Sequence, residues 1–253
     1  MPKERVPVTV VIPARYGSSR FPGKPLAPLM GKPLIQHVYE RVQQAPGVER
    51  VLVATDDRRI QDAVQAFGGT AALTSGDIRT GTDRVAAIAR QQAGEVFVNL
   101  QGDEIILHPE LLSDLVLPFL ASQAGMGTLK RVLGTPDEIH NPDLVKVVTD
   151  QHGKALYFSR SAVPWVRDRE AGKGYPSLHY VHLGIYIYRR DTLLRLAELP
   201  TSPLEAAEGL EQLRALEHGI PIGVWETTHG SVRIDTPDDL KAAERVLQSP
   251  VCC

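Results

Sequence analysis

Three short apolar runs, separated by stretches with helical spacing, constrain this chain more than anything else in it. They are VTVVI (residues 8–12), VLVAT (51–55) and VFVNL (96–100). Each is apolar without alternation, as strands buried on both faces of a sheet are. Between the first two, Leu34, Val38 and Val42 recur every fourth residue behind Pro33, which reads as an N1 proline. Ile60, Val64 and Phe67 mark a second helix, ended by Gly68-Gly69, and Val85, Ile88 and Ala89 mark a third. AALT (71–74) reads as a further short strand. Strand and helix in alternation predict an α/β fold: a mostly parallel sheet in a three-layer α/β/α arrangement.

The pattern changes after about residue 126. LVKVVT (144–149), the turn DQHG (150–153) and ALYF (155–158) read as an antiparallel hairpin, and HLGIYIY (182–188) as another strand. Residues 167–177 are charged and glycine-rich and read as a loop. The expected organisation is one domain over residues 1–253 with an inserted subdomain at approximately 126–203. A long helix is expected through Leu210, Leu213 and Leu216, then a late strand IGVW (222–225). TPDD (236–239) supplies an N-cap, a proline at N1 and an acidic N3 for a last helix.

Bulk properties narrow the function. Lys+Arg number 28 against 30 Asp+Glu, a net charge of −2, so no basic field exists to neutralise nucleic-acid phosphates. No apolar run approaches the roughly 20 residues that span a bilayer. The N-terminal apolar run leads straight into a Gly/Pro-rich loop, so it reads as a strand and not as a signal peptide. The only cysteines, Cys252 and Cys253, are adjacent at the end of the chain; they staple nothing and form no zinc site. A reducing cytoplasm is the expected compartment.

Ligands of open α/β sheets sit beyond the carboxyl ends of the strands, which selects the loops at 13–25, 55–57, 75–84 and 101–104. The stretch GSSRFPGKP (17–25) nearly matches a P-loop, but its gap is one residue too long, and Pro25 stands where a magnesium-binding Ser or Thr is needed. Arg15, Arg20 and Lys24, with Gly17 and Gly23 for close approach, suit a polyphosphate; a solvated turn is the plain alternative. In QGDE (101–104), Asp103 and Glu104 are candidate Mg²⁺ ligands or helix-capping acids. Thr82 and Arg84 in TGTDR either touch a nucleotide or belong to a capped helix start, and spacing alone makes Asp235 structural. His182 and Tyr186 share one face of a strand. With Arg160, Glu211 and Gln212 they would suit a polyhydroxylated acid if they converge.

The motifs VIPARYGSSRFPGKPL, VATDD, TGTDR, QGDE, NPDLVKVV, ALYFSRSAVPW, HLGIYIYR, LEQLRAL and VRIDTPDDL run in order from end to end. The chain resembles the 3-deoxy-manno-octulosonate cytidylyltransferases (CMP-Kdo synthetases). The resemblance implies a Rossmann-like nucleotidyltransferase with a dimerisation and sugar-binding subdomain, acting as a homodimer in lipopolysaccharide biosynthesis. It implies attack of the anomeric hydroxyl of Kdo on the α-phosphorus of CTP, with Mg²⁺, to give CMP-Kdo and pyrophosphate. By motif position, Arg15, Lys24, Asp103 and Asp235 are the catalytic group, with both aspartates on the metal. Ala14, Arg15, Lys24, Thr55, Asp56, Thr82, Arg84 and Gln101 lie on the nucleotide side. Gln101, Arg160, His182, Tyr186, Glu211 and Gln212 line the sugar pocket. The resemblance thus reverses the structural reading of Asp235. Ile105, Asp83, Val181 and Ile187 depart from the family pattern without removing a ligand. A related sugar acid (amino-substituted Kdo or an acylneuraminate) as acceptor, and a non-catalytic nucleotide-binding module, stay open at this point.

Overall fold

The computed structural model describes residues 6–17, 21–167 and 178–248. Arg20, nearly all of the charged loop at 167–177, and Cys252 and Cys253 lie outside the described residues. The chain divides into two compact units, residues 1–113 with 229–253, and residues 114–228.

The first unit is built on β1 (Val8–Ala14), whose seven residues are all buried. A strand with no exposed position needs cover on both faces. After it come a short ladder of β2 (Pro28–Leu29) and β3 (Lys32–Pro33), then α1 (Leu34–Gln43), β4 (Arg50–Thr55), α2 (Arg58–Ala66), β5 (Ala71–Leu73), α3 (Gly81–Gln91), β6 (Val96–Asn99) and β7 (Glu104–Ile106). The parallel strands lie in the order β6–β1–β4–β5, with Val10 opposite both Val51 and Val98. Helix α1 packs on β1 and β4, α2 on β4 and β5, and α3 on β1 and β6. Pro33 is the N-cap of α1 and not its N1 residue, because it still pairs with Pro28 across the β2–β3 ladder. The α/β architecture expected from the apolar runs is the one observed.

Helix α4 (Glu110–Ala121) carries the chain into the second unit. That unit holds β8 (Met126–Val132), β9 (Lys146–Thr149), β10 (Ala155–Ser159), β11 (Tyr180–Arg189) and, later, β12 (Ile222–Glu226). Their order is β10–β9–β11–β8–β12. The hairpin and the long strand are antiparallel as expected, whereas β12 joins β8 in parallel. The pairing of β11 with β8 shifts between Leu183 and Tyr186, a bulge in β11.

The expected long helix is broken. The chain instead forms α5 (Arg190–Glu198), α6 (Pro203–Glu208) and α7 (Gln212–Glu217). Gly209 ends α6 in the left-handed conformation, φ 64°, which a continuing helix cannot contain. Arg214 then pairs with Glu205 through Nε to Oε2 at 2.8 Å, tying α7 to α6. Leucine periodicity alone does not register a single-residue stop of this kind.

The chain returns to the first unit as β13 (Ser231–Arg233) and α8 (Pro237–Gln248). β13 pairs antiparallel with β7, placing Arg233 opposite Glu104. At the start of α8 the Asp239 carboxylate accepts from the Asp235 and Thr236 amides at 3.0 and 2.8 Å, which is the cap expected from TPDD.

Candidate active site

One cavity of about 330 Å³ opens at the carboxyl ends of the first unit's parallel strands, within the size range of small-ligand clefts. Ala14, Arg15, Lys24, Arg84, Gln101, Asp103 and Asp235 line it. The β7–β13 pairing explains how a residue near the end of the chain arrives there. Just beyond Glu104 and Arg233 the ladder continues with the Ile234 amide donating to the Asp103 carbonyl at 3.0 Å. Asp235, the next residue, therefore stands beside Asp103.

Between these carboxylates lies the ammonium of Lys24. It bonds Asp103 Oδ2, approaches Asp235 Oδ1 at 3.6 Å and donates to the Ile234 carbonyl at 2.8 Å. Lys24 is buried, on a short 3₁₀ turn entered from Gly23. Asp235 is also approached by Arg233 Nε, at 3.2 Å. Two carboxylates gripping one cation form a hard-oxygen pair of the type that holds Mg²⁺ together with phosphate oxygens. Among the described residues no group of three or more His, Cys, Asp or Glu is placed to hold a metal by itself. Glu104 does not join the pair. Its carboxyl turns to the Ser231 hydroxyl, and enclosure pushes its pKa above the usual carboxylate range.

On the other side of the cavity, Asp56 organises two arginines. Arg84 on α3 is fully buried; it reaches Asp56 Oδ2 at 3.0 Å and the Ile78 carbonyl at 3.2 Å, and it also bonds the Thr74 hydroxyl. Its Nε has no hydrogen-bond partner among the described residues. Arg15 lies 3.7 Å from Asp56 and donates to the Arg79 carbonyl at 2.8 Å. Burial lowers the Arg84 pKa while Asp56 raises it. Thr55 is wholly buried, and its hydroxyl accepts from the Asp57 amide at 3.2 Å. Thr82 is buried in the first turn of α3. Thr55, Asp56 and Thr82 thus stand behind the cavity wall and not in it.

Two glycines set the wall's shape. A Cβ at Gly102 would stand 2.8 Å from the Pro13 carbonyl oxygen, and one at Gly81 would stand 2.5 Å from Gln101 Nε2. Gln101 itself donates to Asn99 Oδ1 at 3.1 Å. Sequence reasoning passed over Gly81, Gly102 and Arg233 as site residues. The glycine inside QGDE is a legible sign of close approach; nothing in the sequence marks Arg233.

The remaining candidates belong to the second unit. Arg160 is held by Glu208: its amide donates to Oε2 at 3.0 Å and its Nε to the Glu208 carbonyl at 2.9 Å. His182 is buried, with its ring 4.9 Å from Phe158 and 5.3 Å from Tyr186. Four regular strand residues would separate them by about 13 Å along the chain, so the bulge in β11 helps bring the two rings together. His182 Nε2 meets Thr128 Oγ1 at 2.9 Å, and that hydroxyl already points its single proton at the Leu183 or Ile185 carbonyl. His182 is therefore the donor, in its Nε2–H tautomer. Burial pushes its pKa down to about 3. Glu211 is the N-cap residue of α7. Gln212 is buried, and its Nε2 has no hydrogen-bond partner among the described residues.

Comparison with known proteins identifies the family. Residues 9–224 match the family described as Cytidylyltransferase. The chain is 49% identical over 248 residues to a 3-deoxy-manno-octulosonate cytidylyltransferase of Geobacter sulfurreducens, covering 95% of this chain and 98% of the relative. It is 50% identical over 249 residues to one of Trichlorobacter lovleyi, covering 95% and 99%. Among solved structures it superposes on a CMP:2-keto-3-deoxy-manno-octonic acid synthetase complexed with CTP, with a TM-score of 0.88, 43% identity and coverage of 95% and 98%. With a matching fold, an assembled site and near-complete coverage at this identity, the chain belongs to the 3-deoxy-manno-octulosonate cytidylyltransferase family, a family of nucleotidyltransferases.

Proposed function

We propose that the protein transfers the cytidylyl group of CTP to the anomeric hydroxyl of Kdo, giving CMP-Kdo and pyrophosphate for lipopolysaccharide assembly. The observation that carries the site assignment is the Lys24 ammonium shared by Asp103 and Asp235, from loops far apart in sequence, on the wall of one cavity.

In the reaction the acceptor's anomeric oxygen bonds the α-phosphorus, the bond from that phosphorus to the pyrophosphate oxygen breaks, and the hydroxyl proton is lost. Such a transfer needs alignment and charge neutralisation more than a protein nucleophile. Arg15 and Lys24 supply positive charge for the triphosphate from the loop after β1. Arg84 adds a buried cation with an unused donor at Nε, held in place by Asp56. Asp103 and Asp235 would hold Mg²⁺, two neighbouring carboxylates supplying the hard oxygens the ion prefers. When bound, the ion supplies charge neutralisation on the phosphates and lowers the pKa of a hydroxyl it meets. Gln101 borders the same cavity.

Arg160, His182, Tyr186, Glu211 and Gln212 are the acceptor-binding candidates of the second unit. The buried Gln212 Nε2, without a partner among the described residues, supports a hydrogen-bonding ligand, since such a donor is costly to leave unmatched. His182, neutral and donating from Nε2, serves as a fixed wall and not as a proton carrier. We further infer a cytoplasmic homodimer. Leu156 and Trp165, 62% and 74% exposed, supply apolar surface that an interface would bury. No helix among the described residues is long and apolar enough to cross a membrane. Pyrophosphate release from CTP, Kdo and Mg²⁺ tests the reading: the unaltered enzyme should turn over and Asp103→Asn should be nearly inactive, whereas equal rates would remove Asp103 from the chemistry.

A further inference from the structure

Tyr16 meets Gly23 through both its backbone carbonyl and its ring. Tyr16 follows Arg15, and its carbonyl accepts from the Gly23 amide at 2.9 Å. The hydroxyl end of its ring also lies against Gly23, where a Cβ would come within 3.2 Å of the ring Cζ. Gly23 sits at φ 70° as well, so its backbone conformation favours glycine, and a Cβ there would press on the ring. The face of the same ring carries the Arg59 guanidinium, whose carbon is 3.4 Å from the ring centroid. Arg59 is fixed in turn: Nε and NH2 donate to the Asp57 carboxylate at 2.9 and 2.6 Å, and Asp57 is the N-cap of α2. A continuous set of contacts therefore runs from the start of α2 through Asp57, Arg59 and Tyr16 to the residue before Lys24.

We propose that Tyr16 is a positioning residue for the triphosphate: clamped by Arg59, it fixes Gly23 and so holds Lys24 in register with Arg15. The proposal rests on the reading of this cavity as a CTP site. Side chains held in place before a ligand arrives lose less freedom on binding, and the gain is felt only by the part of the ligand they touch. Tyr16 adjoins Arg15 in sequence and touches Gly23, the neighbour of Lys24, so its contribution should grow with phosphate number. A merely structural residue would weaken all nucleotides alike.

The test is calorimetric titration of CTP and CMP, at one magnesium concentration, into the unaltered enzyme and into Tyr16→Leu, Tyr16→Phe and Arg59→Lys. Tyr16→Leu should weaken CTP about three- to fivefold, the size of a lost exposed stacked cation, and leave CMP unchanged within about 1.5-fold. Tyr16→Phe keeps the ring and should stay close to the unaltered enzyme. Arg59→Lys keeps the charge but not the planar stack, and should show a smaller loss confined to CTP. Arg59 is exposed, so this variant decides the matter even if Tyr16→Leu fails to fold. Equal losses for CTP and CMP, or no loss, would overturn the positioning role. Failure of the unaltered enzyme to bind CTP would overturn the nucleotide reading itself, and this inference with it.

Discussion

Lys24 and Asp235, near opposite ends of the chain, meet as an ion pair with 3.6 Å between Nζ and Oδ1. The lysine reaches Asp103 in the same stroke, so one ammonium ties the loop after β1 to the loops at β7 and β13. Asp235→Asn keeps the shape of the site and removes one of the two negative charges around that cation. It should lower the rate of pyrophosphate release by about 10²-fold or more at saturating CTP. A rate within a few-fold of the unaltered enzyme would show that Asp235 serves only the fold.

The Arg84–Asp56 pair makes a different prediction. Arg84 is fully buried, and Asp56 is its only carboxylate partner among the described residues. Asp56→Asn leaves that cation without its counter-charge, which should cost about 2–3 kcal/mol, at or below the lower end for broken buried pairs because Asp56 keeps some solvent contact. Urea unfolding should show a lower midpoint with an unchanged slope; an unmoved midpoint would contradict the assignment.

Gly102 and Gly81 should part company when each is changed to alanine. The Gly102 methyl meets the Pro13 carbonyl, which is backbone and cannot step aside, so stability should fall by about 1–3 kcal/mol. The Gly81 methyl meets the end of the Gln101 side chain, which can. Gly81→Ala should therefore fold with near-normal stability and raise KM through a displaced Gln101. Thermal melts beside steady-state kinetics distinguish the two; the same pattern in both variants would count against this account of the wall.

His182 ties stability to pH. Its pKa is about 3 in the fold against an ordinary 6.5, so between those values the unfolded chain carries a proton that the folded chain refuses. Stability from this group is complete above pH 6.5 and falls as pH drops through that window, by about 1.4 kcal/mol per unit at most. His182→Gln should flatten the decline in urea midpoint between pH 7 and 5. An equally steep decline would show that the loss arises elsewhere.

The runs at 8–12, 51–55 and 96–100 made the parallel sheet legible because a strand covered on both faces is mostly apolar and carries no charge. The stop at Gly209 was hidden because one left-handed residue does not disturb a leucine pattern. Asp235 was illegible as a site residue from spacing, since its place depends on the long-range pairing of β13 with β7. Only the family motif marked it. The stacking of Arg59 on Tyr16 is a tertiary fact with no local signature.

The most direct measurement is mass analysis of the products after incubation with CTP, Mg²⁺ and a panel of acceptors: Kdo, its amino-substituted analogue and an acylneuraminate. A product of the mass of CMP-Kdo, formed with one pyrophosphate released per molecule and with Kdo the preferred acceptor, is the predicted result. CTP left intact with every acceptor, or a nucleotide joined to a sugar 1-phosphate in place of a keto acid, would contradict it.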